Sequence, residues 1–103
     1  MFICGDFNDE PGSAPVLEMM KTFDSASRHI HEGKEPEFTT VKFRNADGMC
    51  SRVIDYIFFK GVKGIKGGLK MPSPDKMDHY MGNPCKDHPS DHYALCFDVE
   101  LNQ

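Results

Sequence analysis

The feature that most constrains the fold is the run Val53 to Phe59, which is apolar except for Asp55. The run is too short to cross a membrane, since a span needs about 18 apolar residues or more. Its Val, Ile, Tyr and Phe residues are typical of a buried β-strand. A carboxylate inside such a strand is costly unless it is paired. The run therefore predicts a buried strand and a partner for Asp55.

Two side chains are candidate partners for Asp55. Arg52 precedes it on the same stretch, and His92 stands at the start of the last apolar segment. An aspartate that accepts from one imidazole nitrogen fixes the tautomer and leaves the other nitrogen for proton transfer or phosphate contact. A bond from Asp55 to Arg52 or to backbone would instead serve the fold alone. The sequence leaves these alternatives open.

Hydrophobic spacing predicts the other elements. We expect a strand over 2–4 and a helix over 14–23 with Val16, Leu17, Met20 and Phe23 on one face. Residues 24–37 predict a surface loop, with one more helical turn as an option. The stretch 38–43 and the turn residues 45–48 predict a hairpin with the run 53–59. Residues 93–101 alternate as a strand with one buried face, which gives roughly four strands in all.

The segment 61–84 is rich in Gly, Pro and Lys and predicts a long connection. The five lysines between Lys60 and Lys76 form either a phosphate-contacting loop or a solvated flexible one.

Composition restricts the class of protein. A chain of 103 residues with 39% hydrophobic residues can form one small domain or part of one. The formal charge of -4 provides no global basic field, so any polyanion must be bound by local cations. Four scattered cysteines predict reduced, buried thiols and hence a cytoplasmic protein, with the nucleus and the mitochondrion as alternatives.

Asp6 and Asn8 follow the first strand. In extended geometry their side chains project to the same side, because they are separated by one residue. A carboxylate can take a proton from water or hold a metal-bound water, and an amide can donate to a phosphoryl oxygen. The alternative is a loop in which both residues only cap turns.

Asp91 and His92 precede the last strand. Asp91 offers oxygen to a cation such as Mg²⁺, and His92 offers a titratable nitrogen. Neighbouring side chains on a strand point in opposite directions, so both can serve one site only where the backbone is irregular, as Pro89 allows. A competing reading is a zinc site built on Cys85, His88 and His92, with His79 or Cys50 as a fourth ligand.

Three motifs occur in a specific order: Cys-Gly-Asp-Phe-Asn at 4–8, Ile-Asp-Tyr-Ile-Phe at 54–58 and Pro-Ser-Asp-His at 89–92. Together they resemble the C-terminal half of the endonuclease/exonuclease/phosphatase superfamily, which has the deoxyribonuclease-I-like fold. The stretch 35–40, Glu-Pro-Glu-Phe-Thr-Thr, is most similar to the nocturnin, angel and carbon-catabolite-repressor type of poly(A) nucleases.

The resemblance implies an α/β fold of α+β-like character. This is a partial four-layer α/β sandwich with a mostly antiparallel sheet and one clear helix. Residues 1–103 would form the C-terminal portion of one such domain, or one half of the family fold. Family enzymes carry an Asn and the principal Mg²⁺-binding Glu in an N-terminal half, which we do not find before Met1. We therefore expect a fragment that is inactive alone and, with an exposed apolar sheet face, self-associating or molten.

The resemblance also implies roles for individual residues. Asp6 would position the attacking water, Asn8 would contact the scissile phosphate, and Asp55 would orient His92. Asp91 would organise the metal side of the site together with Asp6, the latter through water. Thr40 would contact substrate. The implied cofactor is Mg²⁺, with Mn²⁺ as a substitute.

The implied activity is phosphodiester hydrolysis by a 3'-5' exoribonuclease or poly(A) deadenylase. Its substrate would be RNA or a nucleotide phosphodiester. No membrane partner is implied, and the protein would work within a larger deadenylation complex. The alternatives are a nucleotide or lipid-headgroup phosphatase, a 2',5'-phosphodiesterase and an inactive binding module.

Overall fold

The computed structural model describes residues 1–36, 38–44, 48–68 and 89–101. The described elements, in chain order, are β1 (Phe2–Asp6), α1 (Ala14–Met20), β2 (Asp24–Ser25), α2 (Ala26–Ile30), β3 (Thr40–Arg44), β4 (Gly48–Arg52), β5 (Asp55–Phe59), β6 (Gly64–Gly68) and β7 (Phe97–Glu100). Every described strand pair is antiparallel. The chain is an α+β fold, compatible with a partial sandwich. Strands β2, β4 and β6 were not predicted.

The buried strand predicted from the run 53–59 is β5, the central strand of a three-stranded sheet with the order β1-β5-β2. The register of the β1–β5 pair places Cys4 opposite Ile57 and Asp6 opposite Asp55. Residues opposite each other in a ladder project to the same face, so these two pairs share one face of the sheet. Both aspartates stand at the end of the ladder.

The second face of this sheet packs against α1. Val16 of α1 is fully buried in a cluster with Tyr56 and Phe58 of β5, and Phe23 packs against the same cluster. The prediction of a helix is confirmed, although α1 ends at Met20. Leu17 was predicted on the buried face but is 54% exposed. Val16 takes the face that packs on the sheet, and Leu17, about 100° further round the helix, lies outside that contact.

The stretch predicted as a surface loop, with one more helical turn as an option, contains the short helix α2 in addition to the one clear helix expected. It has five residues, and its N-cap Ser25 accepts a hydrogen bond from the backbone N–H of Arg28. Ala26 is fully buried beside Phe59 and Ile65. Burial of this small residue holds α2 against the end of β5.

The predicted hairpin has a different second strand. β3 pairs with β4, from Thr40 opposite Arg52 to Arg44 opposite Gly48. The run 53–59 was the wrong partner, because it pairs as β5 with β1 and β2. The physical reason is local: Gly48 has a φ of 74°, which glycine adopts without strain, and β4 begins at this residue. Residues 45–47, predicted as part of a turn, lie outside the described residues.

Strand β6 lies within the segment predicted as a long connection, and it pairs with β7. The later part of that segment, residues 69–84, lies outside the described residues. The alternation predicted for 93–101 begins with buried Tyr93, but Val99 is 37% and Leu101 60% exposed, so one buried face along its whole length is wrong. Of the described helices, with 7 and 5 residues, none could reach across a membrane.

The described cysteines are free thiols, but two of them contradict the prediction of buried side chains. Cys4 and Cys96 are exposed, and Cys50 is half-buried. Cys4 is exposed because it shares the face of Asp6, whereas its neighbour Ile3 packs into the core with α1. Cys85 lies outside the described residues.

Candidate active site

Two carboxylates meet at the end of the β1–β5 ladder. Asp6 and Asp55 are directly opposite in register, an arrangement that is unfavourable for two like charges. β1 ends here because the chain turns at Asn8, whose φ is 54°. Asp6 Oδ1 accepts a hydrogen bond of 2.8 Å from the backbone N–H of Asn8. Asp6 thus caps a turn with one oxygen, and the extended geometry expected for Asp6 and Asn8 does not continue through Asn8.

His92 lies between the two aspartates. Its Nδ1 is 2.9 and 3.1 Å from the two carboxylate oxygens of Asp55, and its Nε2 is 3.8 Å from Asp6 Oδ2. Because a carboxylate can only accept, Nδ1 carries the proton. The structure therefore pairs Asp55 with His92, and Arg52 instead donates from Nε to Glu10 Oε1 at 3.0 Å. This arrangement fixes the ring and leaves Nε2 beside Asp6.

The surroundings of His92 favour its charged form. The hydrogen bond to Asp55 raises the pKa of the imidazole, burial lowers it, and the charges of Asp55, Asp91 and Asp6 raise it further. The net shift is upward from 6.5. A protonated ring neutralises part of the repulsion between the two opposed carboxylates.

Backbone bonds to the start of β3 hold the segment that carries His92. Val41 N donates to Asp91 O at 2.9 Å, and Tyr93 N donates to Thr39 O at 2.8 Å. Thr40 Oγ1 donates to Asp91 O at 2.6 Å. Thr40 and His92 form an isolated β-bridge outside the regular strands. The backbone here is therefore irregular, as a site that uses both Asp91 and His92 would require. Thr40, expected to contact substrate, is buried and its hydroxyl is engaged with backbone.

The carboxylate of Asp91 lies at the border of the site. Its Oδ1 is 3.8 Å from His92 Nε2, and its Oδ2 is 3.9 Å from Lys42 Nζ. Asp91 thus faces both the imidazole and a cation of β3.

A pocket opens beside these groups. Its lining side chains include those of Asp6, Asn8, Thr40, Lys42, Arg44, Cys50, Arg52, Ile54 and His92. Alternation along β3 places Thr40, Lys42 and Arg44 on one face, with Arg52 opposite Thr40 on β4. The chain as a whole is acidic, so the three cations are a local concentration of positive charge.

Sequence reasoning missed Lys42 and Arg44 as site residues. The signal was present for Lys42, which alternates with Thr40 in the stretch 38–43 predicted as a strand. Arg44 continues the alternation one residue beyond that stretch. The lysines considered instead have other contacts where they are described: Lys60 Nζ lies 6.0 Å from the Phe23 ring centroid, and Lys63 pairs with Glu100 at 3.2 Å. The side chain of Lys66 is not described, and Lys70 and Lys76 lie outside the described residues.

Asp6, Asp55 and His92 also form a possible set of metal ligands. Each offers one ligand atom, and these atoms lie within 4.8 Å of one another. Two carboxylates suit a hard cation such as Mg²⁺, and an added imidazole suits Mn²⁺ as well. Among the described residues, Asp91 is not part of this set. Of the predicted zinc ligands, Cys85, His88 and His79 lie outside the described residues, and His92 Nδ1 is bonded to Asp55.

Comparisons with known proteins give one distant match. No protein-family model matches the chain. Nocturnin of Drosophila melanogaster is 28% identical to it in an alignment 126 positions long, which covers 98% of this chain and 19% of that protein. The chain thus spans about a fifth of the length of the curated relative it matches. The match supports a distant relationship to nocturnin-type proteins.

Proposed function

We propose that this chain carries part of the active site of a metal-dependent phosphodiester hydrolase that removes nucleotides from the 3' end of RNA. The observation that carries the proposal is the cluster of Asp6, Asp55 and His92 beside a pocket lined by cations. General acid-base groups next to anion-binding groups are what hydrolysis of a phosphodiester requires. The distant match to nocturnin and the three sequence motifs support the same class of activity.

The roles of the residues follow from their contacts. Asp55 would hold the Nδ1–H of His92, so that Nε2 meets a phosphoryl oxygen or moves a proton. Asp6 would orient the attacking water through Oδ2, since Oδ1 accepts from the backbone of Asn8. The Asn8 amide, which lines the pocket, would donate to the scissile phosphate.

A divalent cation fits the donor set of the site. Asp6 and Asp55 would supply carboxylate oxygens to Mg²⁺ or Mn²⁺, and Asp91 would act from the border of the site. When bound, the cation would supply positive charge against the phosphoryl oxygens.

RNA is the substrate that the pocket and the motifs favour. Lys42, Arg44 and Arg52 would bind phosphates of a polyanion that the acidic chain otherwise repels. The similarity of residues 35–40 to poly(A) nucleases supports a 3' poly(A) tract, and it is the only support for a role in a deadenylation complex. Cleavage of a nucleotide monophosphate ester in place of RNA would assign a phosphatase instead.

The test uses the protein at the size it has in its source, established with an antibody against this sequence. A 5'-labelled RNA ending in poly(A) is incubated with Mg²⁺ or with EDTA. We expect shortening by single nucleotides that EDTA abolishes. Asp6→Ala and His92→Ala should each lower the rate at least about 100-fold, the usual effect of removing an acid-base or electrostatic group.

Matched controls are Asp24→Ala and His31→Ala, which remove the same residue types outside the cluster. Both should keep the wild-type rate. Shortening that persists in EDTA, or a His92→Ala variant as fast as His31→Ala, would contradict the proposal.

A further inference from the structure

We propose that Thr39 is a positioning residue of the site, whose buried hydroxyl holds Asp55 in place to bond His92. The proposal rests on the proposed function for its chemical meaning. Thr39 contacts neither the pocket nor a reacting group among the described contacts, so it would act through Asp55.

The Thr39 hydroxyl replaces missing ladder bonds at the start of β5. The side chain is 0% exposed, and Oγ1 accepts from Ile54 N at 3.0 Å and from Asp55 N at 3.1 Å. It also lies 3.5 Å from Arg52 O, to which it donates. Buried amide groups need an acceptor, and one oxygen serves two successive amides here. The first residue of that strand, Asp55, is therefore fixed by a side chain.

The backbone of Thr39 binds the other member of the pair. Thr39 O accepts from Tyr93 N at 2.8 Å, next to His92. Asp55 and His92 are 37 residues apart in sequence, and Thr39 is bonded beside both. Thr39 thus bonds both segments whose side chains meet at 2.9 Å, while Thr40 and Val41 bond only the segment of His92, through Asp91 O.

Thr40 does not have the same importance. Its hydroxyl donates to Asp91 O, but Val41 N donates to the same carbonyl at 2.9 Å. Loss of the Thr40 hydroxyl leaves that carbonyl paired, whereas loss of the Thr39 hydroxyl leaves two amides without their acceptor. The position of Asp55 therefore depends on the hydroxyl oxygen of Thr39.

The test measures the Asp55–His92 hydrogen bond directly. An imidazole N–H held by a carboxylate gives a far-downfield proton resonance, which His92→Gln assigns by its loss. We expect Thr39→Val, which keeps the volume and removes the oxygen, to abolish this resonance or move it upfield. Thr39→Ser keeps the oxygen and should keep the resonance. Thr22→Val is the matched control, because Thr22 is exposed after α1.

Each outcome decides the proposal. A folded Thr39→Val protein that keeps the wild-type resonance would overturn the proposal. A folded Thr39→Ser protein that lacks the resonance would also overturn it, and so would a wild-type protein that shows no such resonance. If Thr39→Val does not fold, Thr39→Cys replaces it: sulfur is a weak acceptor, so this variant should lose the resonance that serine keeps.

Failure here is distinguishable from failure of the proposed function. The spectra are recorded in EDTA without substrate, so they do not depend on RNA cleavage. In an active protein, Thr39→Val should lower kcat and leave KM unchanged, since substrate contacts stay in place. A changed spectrum without RNA cleavage by the wild type would refute the function and keep the positioning role. An unchanged spectrum of Thr39→Val, together with normal RNA cleavage by the wild type, would refute the positioning role and keep the function.

Discussion

At the scale of single residues, the charges around His92 make the stability of the chain depend on pH. The hydrogen bond to Asp55 holds the pKa of His92 above 6.5, with the carboxylates of Asp91 and Asp6 adding to the shift. A group with a raised pKa in the folded state stabilises the fold fully below its unfolded pKa and loses that contribution as pH rises through the folded pKa. We therefore expect the Tm in EDTA to fall as the pH rises across this window.

Variants isolate the contribution of the imidazole to this slope. His92→Gln and Asp55→Asn should each flatten the fall of Tm in that window, because they remove the proton or its acceptor. His31→Gln should keep it. An equal slope in wild type and His92→Gln would show that other groups cause the pH dependence.

Glu35 gives the opposite kind of case, a carboxyl that its surroundings destabilise. Burial raises its pKa above 4.5, and the charge of Arg28 offsets this only in part. Both of its oxygens are buried, with no hydrogen-bond partner among the residues that the structure describes. Glu35→Gln should raise the free energy of unfolding at pH 7 by about 1 kcal/mol, because the charge is removed.

Urea denaturation at two pH values checks this prediction. At a pH below 4.5 the wild-type carboxyl is protonated, so the advantage of Glu35→Gln should vanish. Glu32→Gln, at an exposed position, is the control and should change little at either pH. A loss of stability in Glu35→Gln at pH 7 would mean that the charged carboxylate supports the fold.

At the scale of elements, the sequence predicts strands and helices better than it predicts which of them pair. β5 and α1 follow from local composition and spacing. The partner of β3 does not, because a strand can pair with any strand whose register buries its apolar face. The sequence left Arg52 and His92 as candidate partners of Asp55. The choice of His92 depends on a contact between residues 37 positions apart in the chain, which local patterns do not show. Thr39 was missed because a buried hydroxyl leaves no pattern in sequence.

The basic face of β3 carries a prediction about RNA binding. Arg44 is exposed and lines the pocket with Lys42. If it binds a phosphate, Arg44→Gln should weaken RNA binding and reduce the slope of log K against log salt by about 0.7, the value for one contact to a single strand. Fluorescence anisotropy over a salt series measures both. Lys34→Gln, an exposed cation outside the pocket lining, should leave the slope unchanged.

At the scale of the whole molecule, one sheet face is covered only in part by the described residues. Near Phe59 it packs against α2 and β6. Towards Asp6 it forms an open groove whose apolar lining includes Cys4, Ile57 and Leu95, with the carboxylates of Asp6 and Asp55 also in its lining. Exposed contiguous apolar surface favours association, because its burial removes it from water.

We therefore expect the isolated chain to self-associate through this face. Sedimentation velocity over a concentration series should show a sedimentation coefficient that rises with concentration. Phe2 lies on the same face as Cys4 and is 40% exposed, so Phe2→Gln should weaken the association. Leu17→Gln is the matched control, since Leu17 is 54% exposed on α1, which covers the other face. A monomer at every concentration, or an equal effect of the two variants, would show that the groove does not drive association.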